Sequence, residues 1–227
     1  MKNILIFGGS SDLGLSLAKF LMSKGNRVIV TYNTRKVSEI EAIHCDIRDE
    51  KDIDNTIREV LDKYHHIDML INMAAISIDN EIADITKSDL LNILEVNLVG
   101  SFLTSKIYNK YVTDGTIINI SSTDGIDTYN QYNLGYALSK SGMIFLSNNL
   151  RLCTNNKIFC ISPNWIDSDS TNAINPDYLA NELKRIGQSR LITKAEFNSG
   201  IYQIIDKEDS GNYRLDIKDD KLWIEKI

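Results

Sequence analysis

The sequence predicts an α/β fold: a doubly wound, Rossmann-type parallel sheet flanked by helices, built as one domain over residues 1–227. Three observations predict it. Short apolar runs alternate along the chain with stretches of helical periodicity, the pattern of parallel βαβ units. The first run ends in a glycine-rich turn that opens into a helix. No Ser/Gly/Pro-rich linker or fixed-period repeat divides the chain, whose two prolines are Pro163 and Pro176.

The elements follow in order. Residues 3–7 (NILIF) form a short apolar strand that stops at Gly8, as a strand buried on both faces should. Residues 13–24 put Leu13, Leu17, Phe20 and Leu21 on one helical face, and Gly25 ends that helix. RVIVT at 27–31 is a second strand, and the apolar–polar patch at 43–47 suggests a third. Residues 50–64 read as a helix, 67–73 as strand four, and 88–110 as one long amphipathic helix. Residues 115–121 are strand five, 136–153 a helix and 157–162 strand six. Residues 177–186 read as an amphipathic helix or as a cover for a pocket. The tail at 213–225 alternates apolar and polar around Lys218, Asp219 and Asp220. It fits a terminal hairpin, or one strand with an exposed extension. Right-handed crossovers place the ligand crevice at the first strand–helix turn.

Composition limits the function. Of 227 residues, 43% are hydrophobic, enough for a sizeable core without metals or disulfides. The net charge of −6 argues against a nucleic-acid partner. No run of about 18 uninterrupted apolar residues argues for a membrane span. The N-terminal apolar run is too short for a signal peptide, so a cytoplasmic protein is expected. Cys45, Cys153 and Cys160 lack CxxC spacing and are expected as reduced thiols. His44, His65 and His66 lack a zinc spacing, and no metal is expected.

GGSSDLG, from Gly8 to Gly14, must turn tightly and let backbone N–H groups face an anion. The positive end of the helix that follows favours a pyrophosphate. Asp12 stands in this loop, where it can cap the helix but also faces a phosphate of like charge. Tyr136 and Lys140 lie four apart on a predicted helix and share a face.

These residues resemble the short-chain dehydrogenase/reductase family. Gly8 and Gly14 match the first and last glycines of its TGxxxGxG loop, while Asp12 replaces the middle one. YALSK at 136–140 matches its YxxxK, and IINISS at 117–122 resembles the strand that carries its serine. VNLVGSF at 96–102 resembles its asparagine segment, and NMAA at 72–75 its NNAG turn. PNWIDS at 163–168 resembles its PGxxxT loop, with Asn164 in place of glycine, and SGNY at 210–213 weakly resembles its TGQ. The matches run in family order from residue 4 to about 168. Ser122 to Tyr136 is one residue longer than usual, which leaves Ser121 as a lesser alternative.

The resemblance implies a catalytic set of Asn97, Ser122, Tyr136 and Lys140. Tyr136 would pass a proton to or from the substrate oxygen. Lys140 would lower the phenol's pKa from about 10 and hold the nicotinamide ribose. Ser122 would hydrogen-bond the substrate oxygen, and Asn97 would hold a water in a proton relay. Cofactor contacts are expected from Gly8, Ser10, Ser11, Leu13, Gly14, Asn33, Arg35, Asp46, Ile47, Asn72, Ala74, Ile166 and Ser168, besides Tyr136 and Lys140. Strand two ends in Tyr32 and Asn33 with no carboxylate, and Arg35 follows, so NADP(H) is expected over NAD(H). Asp46 would accept from the adenine amino group, and Ile47 would pack on the ring.

The expected activity is hydride transfer between NADP(H) and a small-molecule ketone or secondary alcohol, as in 3-oxoacyl-carrier-protein and related carbonyl reductases. A non-catalytic dinucleotide sensor, motivated by Asp12 and the altered NNAG turn, and a sugar-nucleotide-modifying relative are the alternatives. Residues 165–200 are expected to form the substrate loop. A homo-oligomer, tetramer or dimer, is implied, with helices 88–110 and 136–153 as its interface.

Overall fold

The N-terminal apolar run becomes the middle of the sheet. The computed structural model describes residues 1–206 and 209–227. Their strands are β1 (Asn3–Phe7), β2 (Arg27–Tyr32), β3 (Ala42–His44), β4 (Met69–Asn72), β5 (Thr116–Ile120), β6 (Lys157–Pro163), β7 (Gly211–Lys218) and β8 (Lys221–Lys226). They form one sheet in the order β3-β2-β1-β4-β5-β6-β7-β8. Every pairing up to β7 is parallel, and β8 runs antiparallel to β7.

All five residues of β1 are buried because helices cover both faces. Side chains alternate across the strand, so Ile4 and Ile6 enter one core with Leu17 and Leu21. Leu5 and Phe7 enter the other with Ile53 and Ile57. These helical residues belong to α1 (Asp12–Ser23) and α2 (Glu50–Tyr64). Strand β1 has β2 on one side and β4 on the other, so the chain order reverses there and a crevice opens beyond the strand ends.

Residues 88–110 depart from one continuous α-helix. Helix α3 (Lys87–Leu94) passes through a π turn (Glu95–Val99) into α4 (Gly100–Tyr111). The inserted residue reorients the chain around buried Asn97, a common use of π turns. The whole run Lys87–Tyr111 is long and apolar enough to cross a membrane by length alone. Here it packs on the sheet instead, with Thr104 donating to Asn72 at 2.8 Å.

Strand β3 stops at His44, so Cys45, Asp46 and Ile47 lie in the following loop rather than in a strand. Helix α5 spans Leu134–Cys153. Beyond β6 come α6 (Asp169–Asn172), α7 (Pro176–Ile186) and α8 (Lys194–Ile205). Helices α6 and α8 are elements that the periodicity left unassigned, and α8 is the longer. Its signal is a capping box, in which Thr193 and Glu196 satisfy each other's backbone N–H. The tail is a hairpin: Asp219 and Asp220 take φ of 49° and 58° in a two-residue turn. Its first strand is interior, with Tyr213, Leu215 and Ile217 buried.

Candidate active site

A cleft of about 870 Å³ runs over the ends of β1, β2, β4, β5 and β6. Its floor is the turn between β1 and α1. Gly8 has φ of +81°, and a Cβ there would lie 2.4 Å from the Cα of Ala74, so only glycine fits. Its N–H donates to the Thr31 hydroxyl at 3.1 Å. Ser11 caps α1, accepting from the Gly14 N–H at 3.0 Å and donating to the Gly8 carbonyl at 3.1 Å.

Asp12 is therefore not the cap. Its carboxylate accepts from the Asp169 N–H at 2.9 Å and lies 3.0 Å from the Lys194 ammonium. Partial burial pushes its pKa up, but these partners prevail and hold it below the usual carboxylate value. The like charge expected to oppose a phosphate is thus largely met within the chain.

Asn72 and Asn97, two expected site residues with long side chains, lie beneath the cleft. Asn72 is fully buried; its amide donates to Asn119 and Ser105 and accepts from Thr104. It ties β4 to β5 and α4. Asn97 accepts from the Ile76 N–H at 2.8 Å and donates to the Ile76 carbonyl at 2.9 Å and the Ser139 hydroxyl at 3.0 Å. Its amide fixes the segment after β4 through both backbone groups of Ile76.

Ser122, Tyr136 and Lys140 meet in the cleft wall. Ser121 donates its hydroxyl to the Lys140 carbonyl at 2.8 Å and so is committed to the backbone. Ser122 donates to Asp124 at 3.1 Å and reaches the Tyr136 hydroxyl. The Lys140 ammonium lies 5.3 Å from the Tyr136 ring centre and donates to the Ile120 carbonyl at 2.8 Å. Burial lowers its pKa to about 8. Tyr136 departs from expectation: burial, then the charges of Asp124 and Asp79, push its phenol above the ordinary 10. A buried ammonium half lost by pH 8 does not outweigh them.

At the other end of the cleft stand Asn33 and Arg35, with Ile47 beside them. Asp46 is gripped by Arg48, at 2.9 Å through Nε and 2.5 Å through Nη2. That fork holds its carboxyl down at about 2. The rim after β6 carries Ile166, bridged to Ile192, and Ser168, which caps α6 by accepting from Thr171 at 3.3 Å. Ser10 and Leu13 also face the cleft, whereas Gly14 lies under it.

Against known proteins, residues 2–179 match the family model for short chain dehydrogenase. Carbonyl reductase family member 4 of Xenopus laevis is 30% identical over 191 residues, covering 77% of this chain and 79% of that protein. The chain belongs to the short-chain dehydrogenase/reductase family. It is thus an oxidoreductase of a family that binds nicotinamide dinucleotides. The 3-oxoacyl-acyl-carrier-protein reductase of Chlamydia pneumoniae is 25% identical, with 83% of each chain covered. A dehydrogenase/reductase from Sinorhizobium meliloti shares the fold, with a TM-score of 0.83 at 22% identity over 93% of this chain and 91% of that one. The ligand-free aldohexose dehydrogenase of Thermoplasma acidophilum has a TM-score of 0.79 at 22% identity, covering 88% and 85%.

The residues present fit the family's cofactor. The Gly8 cradle would be filled by any Cβ, the N-terminal end of α1 faces the cleft, and guanidinium groups stand at its far end. Sequence reasoning missed Arg48, Asp124, Asn133 and Lys194. Arg48 had a signal, lying two residues after Asp46. Lys194 had none, since its partner Asp12 is 182 positions away.

Proposed function

We propose that this protein is an NADP(H)-dependent reductase of a small ketone, with Tyr136 as the proton donor. One observation carries the reading: the Tyr136 phenol stands beside Ser122 and Lys140 in the wall of a dinucleotide-sized cleft. A phenol within reach of a substrate oxygen can donate its proton to a carbonyl being reduced.

Gly8, Ser10, Ser11 and Leu13 would hold the pyrophosphate, with the N-terminus of α1 supplying positive potential. Arg35, and Arg48 beside it, would meet a ribose 2′-phosphate. Ala74, Ile166 and Ser168 would border the nicotinamide, and Lys140 its ribose. When bound, the cofactor supplies the hydride. Ser122 orients the substrate oxygen, Tyr136 donates its phenolic proton to it, and Lys140 stabilises the phenolate left behind. The cleft wall supplies position, which is a large part of catalysis.

The sensor alternative loses one of its two motives, because Asp12 is paired with Lys194 and the Asp169 N–H. We read residues 1–227 as one domain acting in the cytoplasm. Assembly as a dimer or tetramer is supported by exposed Phe102 on α4 and Phe145 on α5, 45% and 70% accessible. The test is a carbonyl screen with NADPH and NADH, followed at the absorbance of the reduced nicotinamide. Turnover with NADPH preferred is expected; an NADH preference overturns the cofactor assignment, and no turnover overturns the reductase.

A further inference from the structure

The last strand leaves one edge of the sheet open. Strand β8 ends the strand order beside β7, and no strand pairs with its outer side among the described residues. Ile227 donates its N–H to the Asn212 carbonyl at 2.9 Å, so these two form a hydrogen-bonded pair. Bonded and unbonded pairs alternate along an antiparallel ladder. With Lys226 opposite Tyr213 and Lys221 opposite Lys218, the backbone groups of Leu222, Ile224 and Lys226 therefore point away from β7. Such a row of free donors and acceptors is a template for another strand. Neither a proline nor a bulge interrupts it. Trp223 and Ile227, 45% and 48% exposed, add apolar surface along it.

The charges on this edge complement their own reversal. Residues 220–226 read DKLWIEK. Laid antiparallel to a copy of itself about Trp223, the strand sets Lys221 against Glu225, Leu222 against Ile224 and Asp220 beside Lys226. In that register the outward backbone groups of Leu222 and Ile224 meet one another. Centring on Leu222 instead sets Asp219 against Glu225, and centring on Ile224 leaves Lys221 and Glu225 without opposite charges. Within one chain Lys221 is poorly placed. It sits across the ladder from Lys218, a like charge, while Lys218 reaches Glu225 at 3.6 Å. No carboxylate pairs with Lys221 among the described residues. Asp220 is already held by Arg190 at 3.0 Å, so the fit rests on Lys221 and Glu225.

We infer that β8 pairs antiparallel with β8 of a second copy of this chain, across a two-fold axis at Trp223, and joins two sheets into one. A two-fold interface has to be self-complementary, and this edge is. Leu222 and Ile224 pack on the core beneath, with Leu222 against Gly200 of α8, so the strand is already ordered before it pairs. Pre-ordering lowers the entropic cost of association. The surface is separate from Phe102 on α4 and Phe145 on α5, and it does not depend on the proposed reaction. Used alone it gives a dimer; used together with those helices it gives a tetramer.

Cross-linking tests the register. The Cα atoms of an unbonded antiparallel pair lie about 4.5 Å apart, within disulfide range. Trp223→Cys, in a Cys153→Ser background that removes the exposed thiol, should give a covalent dimer under mild oxidation. Glu225→Cys in the same background should not, because its two copies would stand about 13 Å apart, four residues along the strand. Equal cross-linking at both positions, or none at Trp223, overturns the inference. Sedimentation over a dilution series tests the charges. Lys221→Glu or Glu225→Lys sets like charges together on both sides of the axis and should raise the dissociation constant about 10-fold or more. The double variant, Lys221→Glu with Glu225→Lys, restores both pairs and should restore the native assembly, which a general loss of folding would not do. A native monomer, single variants that assemble as the native chain does, or a double variant that stays as weak as the single ones overturns the inference.

Discussion

The Lys140 ammonium faces the Tyr136 ring from 5.3 Å but gives its hydrogen bond to the Ile120 carbonyl, 2.8 Å away. It therefore sits over the phenol's ring while its hydrogen bond goes to the backbone. Burial weakens that charge and at the same time keeps the phenol protonated.

Removing the phenol's oxygen tests this directly. Tyr136→Phe should lower kcat for carbonyl reduction by about 10²–10⁴-fold, the usual worth of a general acid. NADPH binding, read by nicotinamide fluorescence, should change less than about threefold, since the Gly8 cradle and the Arg35 end are untouched. Loss of both together would mean that Tyr136 supports the cleft instead of the chemistry.

Lys140 makes opposite predictions for activity and stability. Its pKa is lowered from 10.5 to about 8 in the folded chain. Between those values the unfolded chain binds the extra proton, so stability should rise with pH across that window. The same step removes the charge that supports Tyr136, so the reduction rate should fall as pH passes about 8. The buried ammonium costs roughly 3 kcal/mol at neutral pH, at about 1.4 per unit. Lys140→Met should abolish turnover yet unfold at equal or higher denaturant, with a flat pH profile. Denaturant titrations at pH 7 and 9.5 check it.

Much of this was legible in the sequence, and the failures are instructive. Strand β1 reads as a strand because four consecutive apolar residues, Ile4 to Phe7, serve two cores. The phosphate turn reads through Gly8, whose φ excludes other residues. Asn72 and Asn97 were matched by position, but which way an amide points is set by tertiary contacts with Ser105, Asn119, Ile76 and Ser139. The π turn at Asn97 is invisible because its apolar spacing mimics an α-helix. The direction of the Tyr136 shift depends on Asp124 and Asp79, whose approach no spacing rule encodes.

The adenosine end makes a graded prediction. Arg35 is exposed and unpaired in its hydrogen bonds among the described residues, whereas Arg48 is committed to Asp46. Arg35→Ala should cut the kcat/KM preference for NADPH over NADH by about 10-fold, the worth of one charge-assisted hydrogen bond. Arg48→Ala should act differently: it frees the Asp46 carboxylate, which repels a 2′-phosphate, so NADPH should suffer while NADH gains or holds. Steady-state kinetics with both cofactors separate the two arginines.

Asp12 and Lys194 form the most distant of these couplings, joining the phosphate loop to the start of α8 at 3.0 Å. Both side chains are partly exposed, at 19% and 34%, so the pair itself should be worth under about 1 kcal/mol of stability. Its larger effect is electrostatic. Lys194→Ala leaves an uncompensated carboxylate beside the pyrophosphate position and should weaken NADPH binding by roughly 5- to 10-fold, less at high salt. Asp12→Asn removes the charge and keeps an oxygen for the Asp169 N–H, so affinity should hold or improve. The double variant should bind within about twofold of the native chain, because the cost of losing Lys194 exists only while Asp12 is charged. Additive losses in the double variant, measured by fluorescence titration, would instead mean that Lys194 meets the cofactor itself.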